Sequence, residues 1–229
     1  NVKYLFRTMN NFNNINKVLV LAPHTDDGEL GAGGFINKLC SEGKEVYYFA
    51  FSTAEESVPE GFPKNILEKE LMQATTKLGI PKENIIIKKY AVRKLNFHRQ
   101  EILEDLIEFR KKNHFDLVLI PSTKDVHQDH QTIAIEGIRA FKNTNIFSYE
   151  LIWNNLEFKN QCFIEISEKN LQAKIDSLKC YNSQGFRNYL SEEFIRSLAK
   201  VRGVQSGINL AESFEIVRMY GLSLIHISE

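Results

Sequence analysis

The feature that most constrains this chain is a series of short apolar segments without polar alternation, separated by amphipathic segments of helical length. A strand that is buried on both faces of a parallel sheet has this continuous apolar character. Strands that alternate with helices imply crossover connections and a parallel, doubly wound sheet. The pattern therefore predicts an α/β fold with a mostly parallel sheet. In the first half of the chain it predicts strands at 17–22, 45–51, 84–88 and 116–121, and helices at 30–40, 65–78 and 98–113.

The second half of the chain has a less regular pattern. Apolar residues at helical spacing and short apolar runs still alternate there, and no low-complexity linker separates the two halves. A length of 229 residues is typical of a single domain. We therefore expect the same domain to continue, with helices at 133–141, 168–179 and 192–202 and strands at 146–153, 162–166 and 211–219.

Both ends of the chain are expected to lie outside this domain. Residues 1–16 are predicted to form an N-terminal extension, and the domain is predicted to span residues 17–221. The final segment, residues 222–229, is similar to translated sequencing-adapter read-through and is interpreted as a non-native tail. His226 lies in that tail and is therefore excluded from the candidate site.

Composition excludes several classes of protein. The chain has 29 basic and 29 acidic residues, and this balance argues against a nucleic-acid-binding protein, which needs a basic face. Three cysteines without a CxxC motif suggest neither a disulfide framework nor a cysteine zinc site, so a reducing, cytoplasmic location is expected. No run of about 18 apolar residues is present, so no membrane span is predicted.

Two clusters of ionisable residues follow predicted strands. The first is His24-Thr-Asp-Asp-Gly-Glu29 and the second is Lys124-Asp-Val-His-Gln-Asp-His130. Ligands of open α/β sheets bind outside the carboxyl ends of the strands, and the first and fourth strands are neighbours in the usual doubly wound order. We therefore expect both clusters to meet over one crevice, where a divalent cation would offset the repulsion between their carboxylates.

Spacing alone does not choose the metal ligands. The candidates are His24, Asp26, Asp27, Glu29, His127, Asp129 and His130. Histidine and aspartate without a thiolate suit zinc, iron or manganese, and three ligands with an open position are typical of catalytic zinc. The alternative interpretation is structural: Asp26 and Asp27 could cap the following helix, and His127 and His130 could be solvated loop residues.

The two clusters together resemble the LmbE-like, or PIG-L, family of zinc-dependent N-acetylglucosaminyl deacetylases. The segment Pro23-His-Thr-Asp-Asp27 is similar to the family's His-Pro-Asp-Asp motif, and His127-Gln-Asp-His130 to its His-x-Asp-His motif. Asn182-Ser-Gln184 adds support. The resemblance runs from about residue 17 to residue 219 and implies a single Rossmann-like, three-layer domain.

The resemblance also implies residue roles. It makes His24, Asp27 and His130 the ligands of one zinc ion, with Fe²⁺ as the alternative metal. It makes Asp26 the general base that takes a proton from the metal-bound water. His127 would stabilise the oxyanion or protonate the leaving amine, and Asp129 would orient a neighbouring imidazole. Glu29 is then a supporting acid rather than a ligand.

The chain departs from the family pattern at positions near the site. Thr25 stands where proline is usual, and Tyr181 stands where histidine is common. Leu67 and Glu68 lie where an arginine is often found. Trp153 could stack on a sugar face or could equally be a core aromatic residue. The acids of the segment 52–62 would disfavour an anionic substrate, although a solvated loop explains them as well.

The function implied by the resemblance is hydrolysis of an N-acetyl group from an N-acetylglucosamine-type amino sugar or glycoside. The partner is then a small-molecule amino sugar, and the sequence leaves the oligomeric state open. Two alternatives remain. One is an amidase that acts on a thiol conjugate or another acyl-amine, and the other is a non-catalytic sugar- or nucleotide-binding domain.

Overall fold

The computed structural model describes residues 14–220, which form a seven-stranded sheet with helices on both faces. The predicted α/β class with a mostly parallel sheet is confirmed. In chain order the elements are β1 (Lys17–Ala22), α1 (Asp27–Ser41), β2 (Glu45–Ala50), α2 (Ile66–Leu78), β3 (Ile85–Ile87), α3 (Arg99–Lys112), β4 (Leu117–Pro121), α4 (Gln128–Ala140), β5 (Asn145–Tyr149), β6 (Cys162–Glu165), α5 (Glu168–Leu178), α6 (Glu192–Ser206) and β7 (Ala211–Arg218).

The strand order is β3-β2-β1-β4-β5-β7-β6. The first five strands are mutually parallel, and β7 is antiparallel to both β5 and β6. Strands β1 and β4 are hydrogen-bonded neighbours, with Val18 opposite Leu117. Because β2 extends the sheet on one side of this pair and β5 on the other, the loops after β1 and β4 open over the crevice where the strand order reverses.

Two apolar cores lie on opposite faces of the sheet. Val18 and Val20 of β1 pack into the core that includes α1, α2 and α5, whereas Leu19 and Leu21 pack into the core that includes α3 and α4. All four side chains are fully buried. Burial on both faces is the physical reason that β1 has no polar alternation in the sequence.

Four predicted boundaries differ from the structure by three residues or more. Helix α6 ends at Ser206 rather than at residue 202. Helix α1 begins at Asp27 rather than at residue 30, and α4 begins at Gln128 rather than at residue 133. Strand β5 ends at Tyr149, because the chain turns at Leu151, whose backbone N–H donates to Asn155 Oδ1 at 2.7 Å. In α1 and α4, polar residues in the first turn precede the apolar periodicity, so the sequence pattern does not show where the helix begins.

Glycine brings α1 close to the sheet. A Cβ atom at Gly31 would lie 2.2 Å from Cδ2 of Tyr149, a residue of β5. No side chain larger than hydrogen fits there without a shift of the helix or the ring. Tyr149 in turn donates its hydroxyl to the carbonyl of Leu21 at 2.9 Å, so the contact joins α1 to β1 through β5.

The predicted terminal segments fall largely outside the described residues. Most of the extension 1–16 and the tail 222–229 with His226 are not described, so the domain limits 17–221 stay a prediction. Among residues 14–220, no helix has both the length and the apolar character needed to cross a bilayer.

Candidate metal centre

The two polar clusters lie side by side at the carboxyl end of the sheet. The loop after β1 supplies His24, and α1 begins at Asp27. The loop after β4 leads to His127, the N-cap of α4, and His130 lies in the first turn of that helix. Next to them is a cavity of about 300 Å³, lined by His24, Thr25, Asp26, Asp27, Leu30, Ala54, Ser57, Leu67, Val92, Arg93, His127, His130, Trp153, Asn154, Gln184, Arg187 and Tyr189.

Three donor atoms from the two clusters form a nearly equilateral triangle. Nδ1 of His24 lies 3.1 Å from Oδ2 of Asp27 and 3.2 Å from Nε2 of His130. The third edge, from His130 Nε2 to Asp27 Oδ2, measures 3.3 Å. Ligands bound tetrahedrally at about 2.0–2.1 Å are about 3.3 Å apart, so this donor triangle has the dimensions that a zinc ion requires.

A carboxylate holds the second nitrogen of each histidine in the donor triangle. Oδ2 of Asp129 lies 3.0 Å from His24 Nε2, and Oδ2 of Asp125 lies 2.7 Å from His130 Nδ1. Both carboxylates are fully buried. Metal-ligating histidines are typically oriented in this way, because the outer hydrogen bond fixes the tautomer and directs the other nitrogen at the ion.

Asp129 also anchors the loop that precedes α3. Its carboxylate accepts hydrogen bonds from the backbone N–H groups of Arg93 at 2.6 Å and Leu95 at 3.1 Å. Burial alone would raise the pKa of Asp129, but the hydrogen bonds from His24 and from these two amides lower it below its usual value. Asp129 therefore contacts an imidazole of the centre, at the position where the sequence-based interpretation expects it to act.

His127 faces the cavity with one nitrogen already occupied. Its Nδ1 accepts a hydrogen bond from the backbone N–H of Asp129 at 3.1 Å, so a neutral ring carries its proton on Nε2. Burial and the nearby His130 and His24 lower the pKa of His127 to about 4, which favours this neutral form. The nitrogens of His24, His127 and His130 lie within 4.8 Å of one another and form a second, wider donor set.

Asp26 is half-buried at the edge of the cavity. It occupies the N-cap position of α1, yet its side chain makes no capping hydrogen bond. Helix capping therefore does not explain this carboxylate. Burial raises the pKa of Asp26 to about 6, and the adjacent Asp27 charge adds to the rise, while His24 and Arg187 oppose it.

Glu29, the last residue of the first cluster, points away from the donor triangle and bonds to two tyrosines. Its carboxyl group bonds to the hydroxyls of Tyr48 and Tyr181, the latter at 2.8 Å. The Tyr181 hydroxyl also lies 2.7 Å from the carbonyl oxygen of Thr25. Thus Tyr181 and Thr25, two departures from the family pattern, are in direct contact. Burial raises the pKa of Glu29 to about 8.

Cations rather than acids border the cavity outside the two clusters. From the segment 52–62, Ala54 and Ser57 line it, whereas Arg93 and Arg187 contribute guanidinium groups. Among residues 14–220 the two non-glycine residues with positive φ are Ala54 (46°) and Arg93 (65°). Left-handed backbone at such residues costs free energy and clusters at functional sites. The expectation that acids repel an anionic substrate finds no support in this lining.

Comparison with known proteins identifies the family. The model of the PIG-L family, described as GlcNAc-PI de-N-acetylase, matches residues 19–141, which contain the donor triangle. The chain belongs to the PIG-L family. A diacetylchitobiose deacetylase of Thermococcus kodakarensis is 25% identical over 237 residues, covering 93% of this chain and 87% of the relative.

Solved structures show how widely this fold is used. The N,N'-diacetylchitobiose deacetylase of Pyrococcus horikoshii superposes with a TM-score of 0.77 at 24% identity, covering 93% of this chain and 87% of that one. GalB, the 4-carboxy-2-hydroxymuconate hydratase of Pseudomonas putida KT2440, has a TM-score of 0.75 at 18% identity, covering 92% and 100%. These likenesses establish the fold, and the activity must be argued from the site.

Some residues of this PIG-L family member's site lack a clear sequence signal. Asp125 stands inside the second cluster, but it lies outside the His-x-Asp-His motif and so was not singled out. Three further lining residues are distant from both clusters in the sequence: Arg93, Arg187 and Tyr189. The Asn182-Ser-Gln184 motif was the one pointer to the Arg187 segment, since Gln184 contacts Arg187.

Proposed function

We propose that this protein is a metal-dependent hydrolase that removes the N-acetyl group from an N-acetylglucosamine-type amino sugar or glycoside. The observation that carries the proposal is the donor triangle of His24, Asp27 and His130, each histidine backed by a buried carboxylate. Membership of the PIG-L family and the 25% identical diacetylchitobiose deacetylase support the choice of reaction and substrate class.

His24, Asp27 and His130 are the proposed ligands of one zinc ion. We prefer Asp27 to His127 as third ligand, because the edges of the donor triangle, 3.1–3.3 Å, match the spacing of ligands around a tetrahedral zinc ion. Two histidines and one aspartate also accept Fe²⁺, so iron is the alternative metal. A bound ion would supply Lewis acidity, polarising the amide carbonyl and lowering the pKa of water to about 7.

Asp26 is the proposed general base. Its carboxylate borders the cavity beside the donor triangle and is not occupied by helix capping. A base must lie within hydrogen-bond reach of the proton that it removes, and it is most effective when its pKa lies near the working pH. Asp26 would accept a proton from the attacking water at its carboxylate and give it to the amine nitrogen as the C–N bond breaks.

His127 is the proposed oxyanion donor, and Asp26 rather than His127 returns a proton to the leaving amine. Because its Nδ1 is fixed by the Asp129 backbone N–H, its Nε2–H remains to face the substrate carbonyl oxygen. A neutral imidazole in this place donates a hydrogen bond without adding a charge to the resting site. Asp129 would act on His24 rather than on the substrate, as a positioning residue.

The cavity suits a small polar substrate. Its volume of about 300 Å³ is at the lower end of the range for ligand pockets. Apolar side chains such as Leu30, Leu67 and Val92 form part of the lining, and Asn154 and Gln184 supply polar groups. An amino sugar needs this combination, because its ring faces are partly apolar and its hydroxyls require hydrogen bonds.

A cytoplasmic location stays part of the proposal, based on three cysteines that are all free.

The deciding experiment measures metal content and amine release together. The purified protein is depleted of metal, reloaded with Zn²⁺ or Fe²⁺, and assayed with N-acetylglucosamine, N,N'-diacetylchitobiose and an N-acylated thiol conjugate. We expect about one ion per chain and deacetylation of the sugars that requires it. Preferred turnover of the thiol conjugate would instead identify an amidase, and a loaded protein with no turnover would support the binding-domain alternative.

The variant Asp26→Asn separates catalysis from metal binding. It keeps the size of the side chain but removes the base, so we expect kcat to fall by about 10²–10⁴-fold with metal content unchanged. Asp105→Asn on α3, whose carboxylate contacts Lys88 and Tyr90, is a matched control that should keep full activity. A normal kcat for Asp26→Asn would refute its role as base.

A further inference from the structure

One wall of the cavity is not used by the proposed hydrolysis. It is formed by Trp153, Arg187 and Tyr189. The rings of Trp153 and Tyr189 stack with centroids 3.9 Å apart and planes within 8° of parallel. Arg187 donates from Nη1 to the Tyr189 hydroxyl, and its guanidinium carbon lies 5.6 Å from the centre of that ring. The arginine is therefore part of a packed wall rather than a free surface side chain.

A buried chain of hydrogen bonds holds Arg187 from behind. Its Nε donates to Gln184 Oε1 at 2.7 Å, and Gln184 Nε2 donates to Ser183 Oγ at 3.2 Å. Ser183 donates from Oγ and from its backbone N to the Glu70 carboxylate of α2 at 2.6 and 2.9 Å. Glu70, Ser183 and Gln184 are each at most 3% exposed. A buried polar chain of this kind orders its members, so Arg187 is preorganised.

One edge of the Arg187 guanidinium remains available to a ligand. Within residues 14–220, Nε and Nη1 are both engaged, and Nη2 makes no hydrogen bond or ion pair. A guanidinium presents its N–H groups as a planar fork that matches two oxygen atoms of a carboxylate or phosphate. With two of its nitrogens fixed by protein, Arg187 can direct the third at a substrate oxygen with little loss of side-chain entropy.

The positive charge of the cavity wall is confined to two arginines. The charged residues that line the cavity are Arg93 and Arg187, with Asp26 and Asp27 beside the donor triangle. Asp125 and Asp129, which hold His130 and His24 from behind, add two further carboxylates to the metal centre. These carboxylates would offset the charge of a divalent ion, so the attraction for a negatively charged group is local to the two guanidinium groups.

We propose that Arg187 is a specificity-determining residue that binds a negatively charged substituent, a phosphate or a carboxylate, on the amino-sugar substrate. The proposal rests on the proposed deacetylation, because it names the substrate class of the same site. Gln184, Ser183 and Glu70 act through Arg187 as positioning residues. The Asn182-Ser-Gln184 motif thereby gains a role, because Gln184 fixes the Arg187 guanidinium in the cavity wall.

The test compares anionic and neutral substrates on the metal-loaded full chain. The neutral reference is methyl N-acetylglucosaminide. The anionic substrates are N-acetylglucosamine 1-phosphate, its 6-phosphate isomer and the carboxymethyl glycoside, which distinguish phosphate from carboxylate and one end of the ring from the other. We expect kcat/KM for at least one anionic substrate to exceed that of the reference by about tenfold or more, the usual effect of a hydrogen bond to a charged group.

Variants assign this preference to Arg187. In Arg187→Gln we expect kcat/KM for the preferred anionic substrate to fall by about 10–100-fold, mainly through KM, and to fall clearly more than it does for the neutral reference. Arg187→Lys keeps the charge without the fork and should retain part of the preference. Arg196→Gln, which removes an arginine from the outer surface of α6, is the matched control and should change neither substrate.

A binding measurement provides a readout besides turnover. Glucosamine 1-phosphate should bind the metal-free protein more weakly in Arg187→Gln than in wild type, and the difference should shrink at high ionic strength. Equal kcat/KM for neutral and anionic substrates in wild type, or equal losses for both in Arg187→Gln, would overturn the proposal. If no N-acetyl sugar is hydrolysed, the proposed function itself fails. Turnover of the neutral substrate without charge preference refutes only the role of Arg187.

Discussion

Each histidine of the donor triangle is held at its outer nitrogen by a different carboxylate. His24 is held by Asp129, which stands within the motif that the sequence identifies. His130 is held by Asp125, which stands outside that motif. The motif residues were predictable because both clusters follow buried strands and match a family pattern. Asp125, Arg93 and Arg187 were not, because their roles depend on side-chain contacts that no local spacing encodes.

The role of Asp125 leads to a prediction about metal affinity. Asp125→Asn keeps the shape of the side chain but removes the charge beside His130 Nδ1. We expect the metal affinity to fall by about 10–100-fold, the usual cost of losing such a partner. Competition with a chelator of known affinity measures the change. Asp105→Asn is again the control, and an unchanged affinity in Asp125→Asn would show that the hydrogen bond does not tune the site.

At the scale of elements, helix beginnings carry the site, and the largest boundary error of the sequence-based prediction lies at one of them, the beginning of α4. Helix α4 begins at Gln128 because the His127 side chain accepts the hydrogen bond from the Asp129 N–H. Histidine is not among the strongly preferred N-cap residues, so the boundary was placed where apolar periodicity begins. The interiors of α2 and α3 were predicted well, since burial of one face sets their periodicity.

The close approach of α1 to Tyr149 predicts a large effect from one added methyl group. In Gly31→Ala the new Cβ would lie 2.2 Å from the ring, so helix or ring must move. We expect the free energy of unfolding to fall by about 1–3 kcal/mol, measured by urea denaturation. Gly185→Ala is the matched control, because its Cβ would meet only Asn182 O at 3.4 Å and its φ of −58° suits alanine. Equal stability of both variants would contradict this packing argument.

At the scale of the whole molecule, the pairing of β1 with β4 creates the site. The pairing of β1 with β4 was predictable, because it is the usual order of a doubly wound sheet, and it places the two clusters together. The antiparallel insertion of β7 between β5 and β6 was not predictable. Strand direction at that edge depends on how the last helix and strand return over the sheet, which the apolar pattern does not specify.

Metal binding should stabilise the whole domain. An ion that binds the native state alone adds about 2.7 kcal/mol at a free concentration of about 100 times Kd. For a domain of this size we expect Tm to rise by about 5–10 °C on addition of Zn²⁺, measured by scanning calorimetry. His24→Ala should abolish the rise, whereas His98→Ala, at an ion pair with Glu101 away from the cavity lining, should keep it. A rise that survives His24→Ala would place the ion elsewhere.

The donor triangle joins atoms from residues 106 positions apart in the chain. His24 and Asp27 emerge early during synthesis, but His130 reaches them only after β4 has paired with β1. All three ligands can therefore bind the ion only after β1 and β4 have paired. Contacts of such long sequence separation are slow to form, because the loop between them must close first. The rate of metal uptake during refolding would then report the rate at which the central strands of the sheet pair.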